Sequence, residues 1–307
     1  MATSHPGPDS RGLLQGVGAH VLWGFFPAFW PLLDPAAPIE VLAHRVVWTL
    51  VLMAAVLSLL HGWRELRRLS GRGWLTVTAA ALCIAGNWGL FIYGVAVDRV
   101  VEIALGYYTS PLFSVLLGVL VLRERPRVAQ WVALSVASAA VLVISVGNGA
   151  VPWIGLGLGV SFGVYGLLKK TVPLTSTGSL TAEGVVLTPL AAVYLVALQL
   201  LGTGTLTGHG GVHVLLLIAA GPVTAAPLLL YGAAARRLPL ITLGTLLYIT
   251  PTLQFLWGVL VVGEPMPAAR WTGFAMVWVA LVIFTVDLVR ATRRAHTPAT
   301  FVSAEPC

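Results

Sequence analysis

Long apolar stretches separated by short polar segments cover almost the whole chain. Each stretch holds roughly 20 residues, and a helix of that length crosses the ~30 Å hydrocarbon core of a membrane. The pattern therefore predicts an all-α polytopic membrane protein with ten transmembrane helices. The stretches cover approximately residues 13–33, 39–60, 74–96, 102–122, 128–147, 151–168, 181–201, 212–234, 241–262 and 268–288.

One segment of the chain recurs, because residues 108–144 align with residues 248–284. Identical pairs in this alignment include Pro111/Pro251, Gly118/Gly258, Glu124/Glu264 and Trp131/Trp271. The two copies are five stretches apart, and an odd number places the second copy upside down relative to the first. We therefore predict two inverted five-helix repeats, residues 12–147 and 148–290, an arrangement by which many secondary transporters build one central site.

The positions of the basic residues indicate orientation. The formal net charge is +7, but 15 of the 18 Lys and Arg residues fall before the first stretch, after the last or in alternate loops. This distribution follows the positive-inside rule and predicts that both termini are cytoplasmic. No nucleic-acid partner is needed to explain the charge. The polar tails, residues 1–11 and 291–307, are predicted to be disordered.

Composition excludes an ordinary soluble protein, since only 9% of the residues are charged and the mean hydropathy is +0.91. No Gly-x4-Gly-Lys-Ser/Thr motif is present, so ATP is not expected to drive transport directly. No His-Glu-x-x-His motif is present either, and we expect no metal, no cofactor and no enzymatic activity. An intramembrane enzyme acting on a lipid-linked substrate and a passive channel are the alternatives.

Polar and aromatic side chains inside the stretches are candidates for lining a substrate cavity. An unsatisfied amide in the membrane is costly, so amides there either bridge helices or face a cavity. Tyrosines can instead belong to the interfacial aromatic belt. The substrate-binding candidates are Trp23, Asn87, Trp88, Tyr107, Tyr108, Tyr165, Tyr248 and Gln254.

Ionisable residues inside the stretches are candidates for ion coupling, because each costs at least ~2.5–3.5 kcal/mol at a helix centre unless it is paired or hydrated. His44, Arg45 and Glu102 fall on the predicted outer side, where Arg45 and Glu102 can form an ion pair. Glu183 falls on the inner side without an obvious partner, and an isolated carboxyl there can take up and release a proton. Lys170 is expected to extend to the membrane interface.

Prolines occupy equivalent positions in the repeat, Pro111 in the fourth stretch and Pro251 in the ninth. Each removes one backbone donor and kinks a helix. Paired kinks at equivalent positions predict either static bends or a gating role.

Several blocks of the chain resemble the RarD group of EamA-type transporters, in the drug/metabolite transporter superfamily. The resemblance covers roughly residues 12–290. The blocks that carry it are Leu22-Trp23-Gly24, Glu40 through Trp48 with His44-Arg45, Gly86 through Tyr93 with Asn87-Trp88, Leu105 through Leu112 with Tyr107-Tyr108, Ser161 through Gly166 with Tyr165, and Tyr248 through Thr252. It implies a bacterial inner-membrane protein of ten helices in two inverted halves.

These observations together predict a secondary active transporter, with export as the expected direction. Its partners would be a small metabolite or drug, the lipid bilayer and protons, and it would act as a monomer or a homodimer. The two halves would rock about a midplane cavity and open it alternately to either side.

Overall fold

The computed structural model describes residues 10–123, 126–169, 171–235, 237–238, 242–243 and 246–295, and the regular structure in these ranges is helical. Its elements are α1 (Ser10–Gly24), α2 (Phe26–Phe29) with a 3₁₀ turn (Trp30–Leu33), α3 (Pro38–Leu59), α4 (Trp63–Arg67), α5 (Gly71–Ala96), α6 (Val100–Leu122), α7 (Val128–Asn148), α8 (Trp153–Lys169), α9 (Ser176–Leu200), α10 (Gly210–Ala235), α11 (Ile249–Trp257) with a π turn (Gly258–Val262), and α12 (Ala268–Ala295).

Seven of the described helices are long and apolar enough to cross a membrane, and a bent pair raises the number to eight. The two remaining apolar helices, Trp153–Lys169 and Ile249–Val262, are shorter than the 18-residue limit for a span. At 1.5 Å per residue the first of them is about 25 Å long. Length and composition therefore support seven or eight spans, where the sequence predicts ten.

Proline affects the helices in two ways. The first predicted span is broken between Ser10–Gly24 and Phe26–Leu33, with a bend of 46° just before Pro27. Pro111 lies inside the continuous helix α6, whereas Pro251 lies in the first turn of α11. Proline is tolerated in a first turn, because the backbone N–H groups there have no partner in the helix. The two prolines therefore occupy different positions within their helices, although their positions in the repeat are equivalent.

Helices α3 and α9 pack against each other in opposite directions. The start of α3 touches the segment after α9, since Glu40 Oε1 accepts hydrogen bonds from Thr205 N at 2.7 Å and Thr205 Oγ1 at 3.1 Å. The start of α9 touches the segment after α3, since Thr175 N and Oγ1 donate to Glu65 at 2.9 and 3.0 Å. We call these two contacts the Glu40 clamp and the Glu65 clamp.

Helices α7 and α12 are also antiparallel neighbours. Arg127, which precedes α7, forms an ion pair with Asp287 near the end of the apolar part of α12 at 2.7 Å. Gly147, at the end of α7, lies directly against Ala269 at the start of α12.

Neighbour relations in the first half recur in the second. Helices α1, α3, α5, α6 and α7 can be matched in order to α8, α9, α10, α11 and α12. Under this match the α6–α8 packing corresponds to α1–α11, the α5–α8 packing to α1–α10, and the α3–α10 packing to α5–α9. The core of the molecule is therefore built from two sets of equivalent helix contacts.

The ends of the helical region differ from the predicted tails. Helix α1 begins at Ser10 and α12 ends at Ala295, so helix extends two residues into the predicted N-terminal tail and five into the C-terminal one. The rest of the predicted tails lies outside the described residues, as does Lys170.

Candidate functional site

Arg45 lies eight residues into α3, where it is 3% exposed. Its guanidinium carbon is 4.1 Å from the ring centroid of Trp88, 5.0 Å from that of Trp30 and 5.6 Å from that of Phe26. The Nε and Nη1 atoms are buried and have no hydrogen-bond partner among the described residues. The sequence indicates that Arg45 is buried, but it does not reveal these three rings from α2, the 3₁₀ turn and α5. We call Arg45 and the three rings the Arg45 group.

The predicted Arg45–Glu102 ion pair is wrong. Glu102 instead forms an ion pair with Arg99, one turn earlier in the chain. Its Oε1 accepts hydrogen bonds from Ile154 N at 2.7 Å and Gly155 N at 3.3 Å, at the start of α8. A carboxylate there satisfies backbone N–H groups that have no partner in the helix.

Glu264 forms a similar contact in the loop before α12. Its Oε1 accepts a hydrogen bond from Val101 N at 2.8 Å, at the start of α6. Arg270 lies 3.8 Å away, and burial raises the pKa of the Glu264 carboxyl above its usual value. Glu102 and Glu264 thus act locally as helix-capping groups.

Glu183 is not isolated, contrary to the sequence-based expectation. Its Oε1 lies 2.6 Å from Lys169 Nζ and accepts a hydrogen bond from Ser179 Oγ at 3.1 Å. Tyr165 OH donates to Oε2 at 3.1 Å. Glu183 is 2% exposed and the Lys169 side chain 28%, so the pair joins a buried carboxylate to a partly exposed lysine. Tyr165 is therefore part of this network between α8 and α9.

Asn87 bridges α5 and α8. Its Nδ2 donates to Leu158 O at 3.0 Å and to Ser161 Oγ at 2.8 Å. Tyr107 OH donates to Asn87 Oδ1 at 3.3 Å. The Tyr107 ring packs beside Phe91, which in turn contacts Phe26 from the Arg45 group.

Gln254 makes a comparable bridge between α11 and α1. Its Nε2 donates to Trp23 O at 3.3 Å, while its Oε1 is buried without a partner among the described residues. Thr250 Oγ1 lies 3.0 Å from His20 Nδ1, and the His20 ring packs edge-on against Trp23 at 5.3 Å. Trp23, His20 and Gln254 thus form a second polar group, and the sequence already places His20 about one turn before Trp23 on the same face of its helix.

His44 lies one turn after Glu40 on α3, and neither of its buried ring nitrogens has a hydrogen-bond partner among the described residues. Glu40, which the sequence does not single out as a site residue, is buried in the Glu40 clamp. His213 Nε2 lies 2.8 Å from the Thr205 hydroxyl of that clamp. The sequence could have indicated Glu40, because it is an ionisable residue five positions before Arg45 in the same apolar helix.

Tyr108 and Tyr248 lie apart from these groups. Tyr108 OH lies 2.7 Å from Thr252 Oγ1, and its ring packs edge-on against Phe274 and Trp278. Tyr248 OH lies 3.1 Å from Thr285 Oγ1. Both rings belong to the hydrophobic cluster between α6, α7, α11 and α12. The sequence-based preference for a cavity lining at these two residues has no support in their contacts.

The open space among the candidate residues is small. A cavity of about 10 Å³ lies between α3, α5 and α9 and is lined by Thr49, Trp88 and Glu183 with apolar neighbours. That volume fits about one water molecule. A larger cavity of about 130 Å³ lies at the helix ends, beside Arg99, Glu102 and Arg270. In this conformation the Arg45 group is closed around its own side chains.

Known proteins resemble this chain over most of its length. The model of the EamA-like transporter family matches residues 10–146. Protein RarD of Streptomyces exfoliatus is 49% identical over 93% of this chain and 91% of its own length. An uncharacterized transporter of Pseudomonas aeruginosa is 39% identical over 94% of this chain and 97% of its own. A crystal structure with 19% identity superposes with a TM-score of 0.58, over 94% of this chain and 99% of that one.

The number of apolar helices and the similarity to transporters agree that this is a multi-pass membrane protein. The similarity to the Streptomyces exfoliatus protein extends over 93% of the chain and therefore into both of its halves. The chain belongs to the RarD group of the EamA-like transporter family.

Proposed function

We propose that this protein is a secondary active transporter that exports a small metabolite or drug across the bacterial inner membrane by alternating access. Ten membrane-crossing segments would form two inverted halves, with both termini in the cytoplasm. The two short helices α8 and α11 would complete the ten by crossing beside longer neighbours. Helix pairs α3–α9 and α7–α12 support the inversion, because each joins equivalent helices in opposite directions.

The observation that carries the proposal is the pair of clamps. The Glu40 clamp and the Glu65 clamp lie at opposite ends of the α3–α9 pair, and in each the carboxylate belongs to the first half of the chain and the threonine to the second. Each consists of a carboxylate that accepts a backbone N–H and a threonine hydroxyl. Alternating access needs a closure at each end of the helix pair, because the cavity must close on one side before it opens on the other.

Proton coupling is proposed to act through Glu183. The carboxylate borders the small cavity that also touches Trp88, and it is bonded to Lys169 and Tyr165. Movement of α8 away from α9 would separate these partners and change the proton affinity of the carboxyl. Glu102 is a weaker candidate, since it is fixed by Arg99 and the start of α8. His44 remains a second candidate.

Reconstituted liposomes test the transport proposal. Uptake of radiolabelled metabolites and drugs would be measured with and without an imposed proton gradient, and empty liposomes would serve as the control. We expect the gradient to accelerate movement of at least one compound class. Glu183→Gln should abolish this gradient-driven movement while substrate exchange across the membrane persists. Full gradient-driven transport by Glu183→Gln would eliminate this residue as the proton carrier, and gradient-independent equilibration of every compound would favour a channel.

A further inference from the structure

The Arg45 group contains a buried cation for which the described part of the protein supplies no anion. The buried carboxylates have other partners. Glu40 accepts a hydrogen bond from Thr205, whereas Glu102 and Glu183 form ion pairs with Arg99 and Lys169. A guanidinium offers five N–H donors and cannot lose its charge in a protein. Aromatic faces attract the charge, but they do not satisfy the in-plane donors at Nε and Nη1. These donors are the part of the group that remains without a partner.

The position of Arg45 makes an accidental burial costly. Seven residues separate it from the start of α3, so it lies about 10 Å along the helix from that end. A charged side chain at such depth in a membrane protein generally faces a cavity or a binding partner. Long side chains near a helix end can extend to the interface, but the three surrounding rings leave Arg45 3% exposed.

From this arrangement we infer that Arg45 binds the anionic group of the transported substrate, and that the substrate is a small organic carboxylate with an apolar or aromatic body. The inference rests on the proposed transport function and adds a substrate class to it. The planar guanidinium fork matches the two oxygens of a carboxylate. Trp88, Trp30 and Phe26 provide the apolar surface against which the rest of the molecule packs.

Binding requires a rearrangement of the group, because the adjoining cavity holds only about 10 Å³. The Trp88 ring lies both over the guanidinium and on the wall of this cavity. Separation of the helices around the cavity would let the Trp88 ring move off the guanidinium and expose its face. The ring therefore occupies the place that the substrate body takes when the group opens.

Direct binding to the purified full-length protein in lipid nanodiscs tests the inference without requiring transport. Titration calorimetry would use acetate, phenylacetate and indole-3-acetate, which share the carboxylate and differ in the apolar body. Phenylacetamide supplies the same body without the charge, and benzylphosphonate supplies a different anion. We expect phenylacetate or indole-3-acetate to bind about ten-fold or more tightly than phenylacetamide and benzylphosphonate.

Variants separate a binding role from a structural one. Arg45→Gln should weaken acid binding about ten-fold or more, and Arg45→Lys should recover only part of it, since an ammonium lacks the planar fork. Arg127→Gln is the matched control, because it also removes one positive charge but lies in the surface pair with Asp287. It should bind the acids as the wild type does.

Three results would overturn the inference: no acid binds, the amide binds as tightly as the acid, or Arg45→Gln retains wild-type acid binding. Tighter binding of benzylphosphonate than of the acids would overturn the carboxylate assignment. Liposome transport separates the two proposals. Acid binding without any transport would refute the proposed function alone, whereas transport of a neutral or cationic compound that survives Arg45→Gln would refute the substrate class alone.

Discussion

Arg45 places a full positive charge among three aromatic rings inside a membrane helix. Removing an ion from water costs several kcal/mol even after the protein relaxes. A desolvated cation–π contact stabilises the cation by about 2 kcal/mol or more. Because two donor atoms have no hydrogen-bond partner, we expect the guanidinium to cost more folding free energy than it contributes. Residues retained at such a cost commonly serve function.

Arg45→Met should therefore leave the unfolding temperature in detergent unchanged or raise it, because methionine fills the same apolar space without a charge. Thermal unfolding followed by circular dichroism measures this. Arg127→Met is the control, and it should shift the transition little, since an exposed ion pair contributes about 0–1 kcal/mol. A clear fall in the unfolding temperature of Arg45→Met alone would show that the rings and the guanidinium are a structural unit.

The Lys169–Glu183 pair should respond unequally to loss of either partner. Lys169→Met leaves a buried carboxylate without its cation, which costs roughly 3–5 kcal/mol. Glu183→Gln leaves an ammonium that can turn toward water, so its cost should be smaller. Denaturation of both single variants and the double variant in detergent provides the measurement. The double variant should cost less than the sum of the singles, and simple additivity would argue against a coupled pair.

At the residue scale, the sequence identifies which polar groups are buried but not their partners. Arg45, Glu102 and Glu183 all lie within or at the ends of apolar segments, as predicted. Their partners depend on helix packing: Lys169 meets Glu183 because α8 and α9 approach each other, and Glu102 meets α8 instead of Arg45. Such pairings between separate helices cannot be derived from spacing along one of them.

Helices α6 and α8 approach each other so closely that their backbones touch. A Cβ atom on Gly155 would lie 2.7 Å from Glu102 O, and one on Gly106 would lie 2.5 Å from Gly155 O. Small residues at these positions allow close helix packing in lipid.

Gly155→Ala should destabilise the protein, because its methyl group would push against the backbone of α6. The expected loss is about 1–3 kcal/mol, as for other overpacked sites. Gly166→Ala, also on α8, is the matched control, since a Cβ there meets nothing within 4 Å. That change should be neutral or stabilising, because alanine favours helix over glycine. Equal stability of the two variants in denaturant titrations would contradict the packing account.

At the element scale, hydrophobic length predicts most helices well but not their local geometry. Helices α3, α5 and α9 follow apolar stretches long enough to span a membrane. The 46° bend before Pro27 and the π turn after Trp257 depend on neighbouring helices and on local backbone bonding. The position of Pro251 in a first turn likewise depends on where the helix begins, and an apolar pattern locates such a boundary poorly.

The whole molecule can be oriented by thiol labelling in a background with Cys83 and Cys307 replaced. The distribution of basic residues predicts that Val97→Cys and Thr207→Cys react with an impermeant maleimide in intact cells. Arg68→Cys and Thr171→Cys should react only after the cells are opened, and this requirement is the internal control. Labelling of Arg68→Cys in intact cells would contradict the proposed orientation.

At the scale of the whole molecule, the internal repeat in the sequence anticipates the matching neighbour relations of the helices. The repeat does not predict the two clamps, because no sequence motif links Glu40 to Thr205 or Glu65 to Thr175. The clamps become visible only when α3 and α9 lie side by side in opposite directions. The central claim is that these two ends open in alternation.

Distances between spin labels on both sides test that claim most directly. One doubly labelled protein would carry Val97→Cys and Thr207→Cys on the proposed outer side, and a second would carry Arg68→Cys and Thr171→Cys on the inner side. Pulsed electron resonance in nanodiscs would compare two pH values, with and without a transported compound. The account predicts that conditions that lengthen the outer distance shorten the inner one. Distances that change together, or that stay fixed while transport proceeds, would contradict it.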